Sequence, residues 1–168
     1  KYDKQIQVLT NLINSSWAGI KDYQAIIDLQ SAKGEYYVAF QILKKMLKEF
    51  PEDFHFGNLQ FALNIFLTME KKQDFEPSDE LIDREIISEE DILNLALEYH
   101  KNHPGAEEAV KIAELFSFSK KIELARNILK VYPKESLTKP RMYSAFMKVK
   151  VHMGEKKEAT ASFKERYK

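Results

Sequence analysis

The chain has 168 residues, enough for one domain with a real hydrophobic core. Charged residues make up 31% and hydrophobic residues 44%, and the formal net charge is zero, so no global field draws the chain toward nucleic acid or membrane. Cysteine is absent, which excludes disulfides and thiolate chemistry.

No apolar run approaches the ~20 residues that span a bilayer, so membrane insertion is not expected. The chain opens Lys1-Tyr2-Asp3-Lys4 without Met and reads as a segment of a longer protein. The compartment stays open, with the cytoplasm slightly favoured for a soluble chain. Five glycines and five prolines stand among many Leu, Ile, Lys, Glu and Ala. These are helix formers, and they predict an all-α fold.

Residues 4–14 predict a first helix, with Ile6, Leu9, Leu12 and Ile13 on one face. Asn14-Ser15-Ser16 breaks it, and Ser15 or Ser16 is expected to cap the next helix. That helix carries Trp17, Ile20, Tyr23, Ile26 and Ile27 at three- and four-residue steps and ends near Lys33-Gly34. A third helix presents Tyr36, Ala39, Ile42, Leu43, Met46 and Leu47 and stops at Phe50-Pro51. Gly34 suits a tight helix–helix turn, and Ala39 suits a close crossing of two helix axes. The fourth helix, 54–69, is apolar nearly all round and is expected to be buried centrally. Residues 71–87 then form one long acidic break, expected to be the least ordered internal stretch. Phe75 lies in it without a periodic partner, as a loop anchor or an exposed contact.

Ser88-Glu89-Glu90-Asp91 restarts a helix with a capping-box pattern, and His103-Pro104-Gly105 stops it. Two further helices follow at 106–118 and 122–131, with Pro133 as terminator. The last two are expected at 142–153 and 155–167. Gly154-Glu155-Lys156-Lys157-Glu158-Ala159 repeats the device of Gly34-Glu35-Tyr36-Tyr37-Val38-Ala39. About nine helices result, paired as antiparallel hairpins in a single domain, 1–168.

The pairs resemble tetratricopeptide (TPR) repeats, whose period is ~34 residues. Tyr23, Ile26, Gly34, Ala39, Leu43 and Pro51 stand at that family's spacings, as do Tyr143, Phe146, Gly154, Ala159 and Phe163. The pair carrying Ala109, Ile112, Ala113, Ala125 and Leu129 has Lys120 where Gly is expected. The pair split by the acidic break keeps only Ala96 and Pro104. The resemblance implies a right-handed α-solenoid, a TPR-like array whose concave face binds a peptide or partner domain. Carried over residue by residue, that face includes Lys21, Gln24 and Asp28, then His55, Asn58 and Ala62. Lys111 and Glu114 follow, then Arg141, Ser144 and Lys148. Chaperone-binding members grip a C-terminal carboxylate with a Lys/Asn/Asn/Lys/Arg set. Asn58 and Arg141 lie near such places, but the set is absent, which argues against that role.

No HExxH, GxSxG, Walker A or GxGxxG pattern occurs, and no catalytic residue or cofactor is expected. His100 and His103 share a helix end but lack further metal ligands. They read as a solvated C-terminus favoured by the helix dipole. Phe and Tyr at helical spacing read as core.

Charge is unevenly spread. Residues 1–73 hold nine basic and eight acidic side chains, net +1. Residues 74–119 hold three and thirteen, net −10, and residues 120–168 hold fourteen and five, net +9. Such runs are commonly solvated faces. As binding surfaces they would orient a partner of complementary charge and allow weak head-to-tail self-association. The reading that results is a non-catalytic protein–protein interaction scaffold. The rivals are a pentatricopeptide-like RNA-binding array, opposed by the zero net charge, and a structural spacer in a larger assembly.

Overall fold

A computed structural model of the chain describes residues 2–15, 17–73, 86–130 and 140–166. Among them are nine α-helices and no strand. They are α1 (Asp3–Asn14), α2 (Ile20–Lys33), α3 (Tyr36–Glu49), α4 (Phe56–Gln73), α5 (Glu89–Asn102), α6 (Ala106–Phe118), α7 (Ile122–Lys130), α8 (Pro140–His152) and α9 (Lys156–Arg166). The chain divides into two compact units, Lys1–Tyr99 and His100–Lys168, with the boundary inside α5.

In the first unit α1 packs on α2, α2 on α3 and α3 on α4. Its core is built from Tyr23, Ile26, Ala39, Phe40, Leu43, Met46, Leu59, Ala62, Leu63 and Ile92. Burying a Leu, Ile or Phe side chain stabilises by about 1.5–3 kcal/mol. The α2 and α3 stripes therefore hold this hairpin together. Phe54 and Phe56, beside the start of α4, lie 6.1 and 6.5 Å from the Tyr99 ring, which ties α4 to the end of α5. Lys44 of α3 reaches Asp91 of α5 at 3.6 Å.

In the second unit α6 packs against both α7 and α8, and α8 packs against α9. Ala109, Ile112, Ala113, Phe116, Ala125, Ile128, Tyr143 and Val149 are buried there.

Three hairpin turns are built alike. Gly34 and Gly154 have φ 82°, and Lys120 has φ 62°. In each turn this residue's N–H bonds to a carbonyl three residues back, Gly34 to Ser31, Lys120 to Ser117 and Gly154 to Val151, at 3.0–3.1 Å. The next N–H reaches five residues back, Glu35 to Gln30, Lys121 to Phe116 and Glu155 to Lys150, each at 2.9 Å. Together these form the left-handed C-terminal cap that satisfies orphan helix carbonyls. Five residues after each turn residue comes a buried alanine: Ala39, Ala125 and Ala159. Lys120 thus supplies the conformation expected of the missing glycine.

Several expectations are corrected. Trp17 is 85% exposed and precedes its helix. Gly19 opens that helix, its N–H donating to Asp22 Oδ2 at 2.9 Å. Ser15 turns back instead of capping forward, its hydroxyl donating to the Leu12 carbonyl at 2.9 Å. Helix α4 is not apolar all round, because Gln60 and Asn64 are exposed and Phe61 and Leu67 only half-buried. Its helical hydrogen bonding runs on through 71–73, and Ile87 is buried, so both ends of the expected break are structured. Phe75 and the rest of that break lie outside the described residues, as do Pro133 and Tyr167. The Ser88 start is as expected. Ser88 N–H and hydroxyl both donate to Asp91 Oδ2, and Asp91 N–H donates to Ser88 Oγ at 3.1 Å. Helix α8 begins at Pro140, two residues early; proline suits a first helical position because its missing N–H would have no partner there.

Candidate partner-binding groove

An open groove of about 650 Å³ runs between α1 and α2, lined by Lys4, Gln5, Val8 and Leu9 on one side and Ala25, Asp28 and Leu29 on the other. Each set falls on one face of its helix by three- and four-residue spacing. Val8 is 58% exposed and Leu9 and Leu29 are half-buried, so the floor is apolar and reachable.

Polar contacts fix the two walls. Lys33 at the end of α2 donates to Asp3 at the start of α1 at 2.9 Å. The hydrogen bond from Lys33, then its charge, holds the Asp3 carboxyl below the usual carboxylate range. Lys45 of α3 donates to the Ile13 carbonyl at 3.2 Å, placing a cation at the C-terminus of α1, where the helix dipole favours it. Behind the groove, the buried Tyr23 hydroxyl donates to Glu49 Oε2 at 2.5 Å. Burial first, then the Glu49 carboxylate, pushes that hydroxyl well above the ordinary tyrosine value.

Lys21, Gln24 and Asp28 are exposed along one stripe of α2, and Asp28 also lines the groove. His55 and Asn58 serve instead to start α4. The His55 N–H donates to Asn58 Oδ1 and the Asn58 N–H to the His55 carbonyl, both at 2.9 Å. Ala62 is fully buried and belongs to the core, because its helical position turns it toward the packed side with Leu59 and Leu63. In the second unit Lys111 is exposed and pairs with Glu108 at 3.0 Å, while Glu114 is half-buried. Ser144 and Lys148 are exposed on α8. The Arg141 side chain lies outside the described residues.

Sequence reasoning missed the α1 wall. The signal was Val8, an apolar residue that the Ile6, Leu9, Leu12 and Ile13 stripe does not account for. It also missed Phe118, which is 60% exposed with its ring 4.8 Å from that of His152.

His100 is buried, not solvated, and burial pushes its pKa below the ordinary histidine value against the opposing effects of the His103 backbone and Glu108. Among the described residues no group of three or more His, Asp or Glu side chains is arranged to hold a metal ion. No helix among them is long and apolar enough to cross a membrane. Beside the last turn, Glu155 accepts from Lys150 and from Arg126, the latter at 3.4 Å. The Lys150 hydrogen bond, outweighing burial and aided by Arg126, keeps the Glu155 carboxyl below its ordinary value.

Compared with protein-family models, curated proteins and solved structures, the chain matches none.

Proposed function

We propose that the chain is a TPR-like array of helix hairpins that binds another protein and catalyses nothing. The observation that carries this reading is the thrice-repeated turn at Gly34, Lys120 and Gly154, each followed five residues later by a buried alanine. A repeated hairpin with the same inner-face alanine is the unit from which a right-handed α-solenoid is stacked. The packing of α6 on both α7 and α8 also suits this reading, since each repeat's first helix then meets the next repeat's first helix.

The α1–α2 groove supports the binding half of the proposal. An exposed apolar floor beside polar side chains that can fix orientation is a common form of recognition surface. Lys21, Gln24 and Asp28 continue the surface along α2, and the partner is an apolar segment of another protein laid along these helices.

The test is quantitative capture of partners from the native source by the wild type and by a Val8→Glu/Leu29→Glu variant. Both positions are exposed or half-buried, so the fold should survive, and circular dichroism checks that it does. A partner held by the wild type and released by the variant supports the groove. Equal capture by a folded variant removes the groove from the proposal.

A further inference from the structure

We propose that a second copy of this chain docks on the outer face of α9 through the exposed face of α5, giving a head-to-tail contact independent of the α1–α2 groove. The basis is a charge division that follows the two packed units. Lys1–Tyr99 holds 10 basic and 18 acidic side chains, net −8, and His100–Lys168 holds 16 and 8, net +8. A neutral chain therefore carries two units of opposite sign, and each unit of one copy complements the other unit of the next.

The two faces match in detail. On α5, Glu90, Asn94, Leu97 and Glu98 are exposed and fall within about 100° of the helix circumference, at 100° per residue. On α9, Lys157, Thr160, Ala161 and Lys164 form one exposed stripe that lines a shallow groove of about 930 Å³. Glu90 and Glu98 lie about 12 Å apart along their helix, and Lys157 and Lys164 about 10 Å apart, at 1.5 Å rise per residue. Two ion pairs can therefore form together. Between them Asn94 lies level with the small Thr160 and Ala161, where a helix can approach closely, and the exposed Leu97 lies level with the Lys157 stem.

The direction is antiparallel, Glu98 toward Lys157 and Glu90 toward Lys164. That alignment puts the exposed Lys101, one turn beyond Leu97, at the end of α9 that carries Glu155. It also sets the negative end of the α5 dipole beside the positive end of α9. The contact is heterologous, because each copy uses a different face. It leaves one α5 and one α9 open at the ends of every chain, so growth is indefinite unless the rotation closes a ring.

The experiment is sedimentation velocity of the full chain over a concentration series at about 0.01 M and about 0.5 M salt, where the screening lengths are roughly 30 Å and 4 Å. The sedimentation coefficient of the wild type should rise with concentration at low salt and stay at the monomer value at high salt. K157E/K164E and E90K/E98K should each stay monomeric alone. Mixed in equal amounts, they should associate again in alternating order, since both acidic faces of K157E/K164E complement both basic faces of E90K/E98K. A variant carrying all four changes should associate again. A wild type monomeric at low salt overturns the proposal, as does association that either double variant leaves intact. Equally decisive against it would be a monomeric wild type that shifts single-stranded RNA on a gel and loses that shift in K157E/K164E. In that case the α9 lysines serve phosphate.

Discussion

Lys120 holds the left-handed backbone conformation that Gly154 holds 34 residues later, with φ 62° against 82°. The hydrogen bonds around the two residues are the same, so the turn is set by its place between α6 and α7 and not by glycine. A side chain in this conformation costs about 1–2 kcal/mol, and glycine removes that cost but loses more freedom on folding. Lys120→Gly should therefore raise stability by about 0.5–1 kcal/mol. Gly154→Ala should lower it by about 1 kcal/mol. Both are read from chemical denaturation midpoints. A Lys120→Gly chain less stable than wild type would mean that the lysine side chain holds the turn.

Ala39 and Ala125 are both fully buried, each five residues after its turn. A larger side chain would force the facing helices apart, at about 1–3 kcal/mol. Ala39→Leu should destabilise the hairpin of α2 and α3 by that amount, and Ala125→Leu that of α6 and α7. Ala161→Leu, on the exposed side of α9, should change stability by less than about 0.5 kcal/mol. A midpoint unchanged in Ala39→Leu would contradict the close crossing.

Much of this architecture was legible in residue spacing because turns and caps are local. Gly34, Gly154 and the Ser88–Asp91 box act within a few residues, and their chemistry needs no tertiary partner. The misses have physical causes too. Trp17 stands at helical spacing from Ile20, but periodicity does not tell where a helix starts, and the Gly19–Asp22 hydrogen bond starts it after Trp17. Lys120 hides a glycine-type turn because packing on both sides enforces the conformation. His100 was misplaced because a helix end can be buried by its surroundings. The α1 wall of the groove was missed because a second helix must pack before Val8 has a facing wall in Leu29.

The Tyr23–Glu49 bond gives a prediction at high pH. Tyr23 is raised above its ordinary value of 10.0 by burial and by Glu49. Above pH 10 the unfolded chain releases this proton while the folded chain keeps it, so the stability is present below pH 10 and falls as pH rises. Stability read from denaturation midpoints should decline from pH 9.5 to pH 11, with a slope approaching about 1.4 kcal/mol per pH unit for this one proton. Tyr23→Phe should flatten part of that decline, and at pH 7 it should cost about 1 kcal/mol for the lost hydrogen bond. An unaltered slope in Tyr23→Phe would assign the decline to other groups.

His100 gives the opposite sign on the acid side. Its pKa lies below the ordinary 6.5 because burial disfavours the imidazolium, although the His103 backbone and Glu108 favour it. The folded chain then binds fewer protons than the unfolded chain once the pH drops under about 6.5. Its contribution is fully present above that value and is lost as the pH falls toward and through the folded-state pKa. Asp3, Asp91 and Glu155 are also lowered, but from ordinary values of 3.8 to 4.5, so their losses begin at lower pH. Stability measured between pH 6.5 and pH 5 should therefore fall mainly through His100. His100→Gln keeps a polar side chain of similar reach and cannot take up the proton. Its stability should be lower than that of the wild type at pH 7.5, since the packing is imperfect, but nearly flat across the same interval. A His100→Gln chain that loses stability as steeply as the wild type over that interval would show that the buried imidazole is not what senses acid.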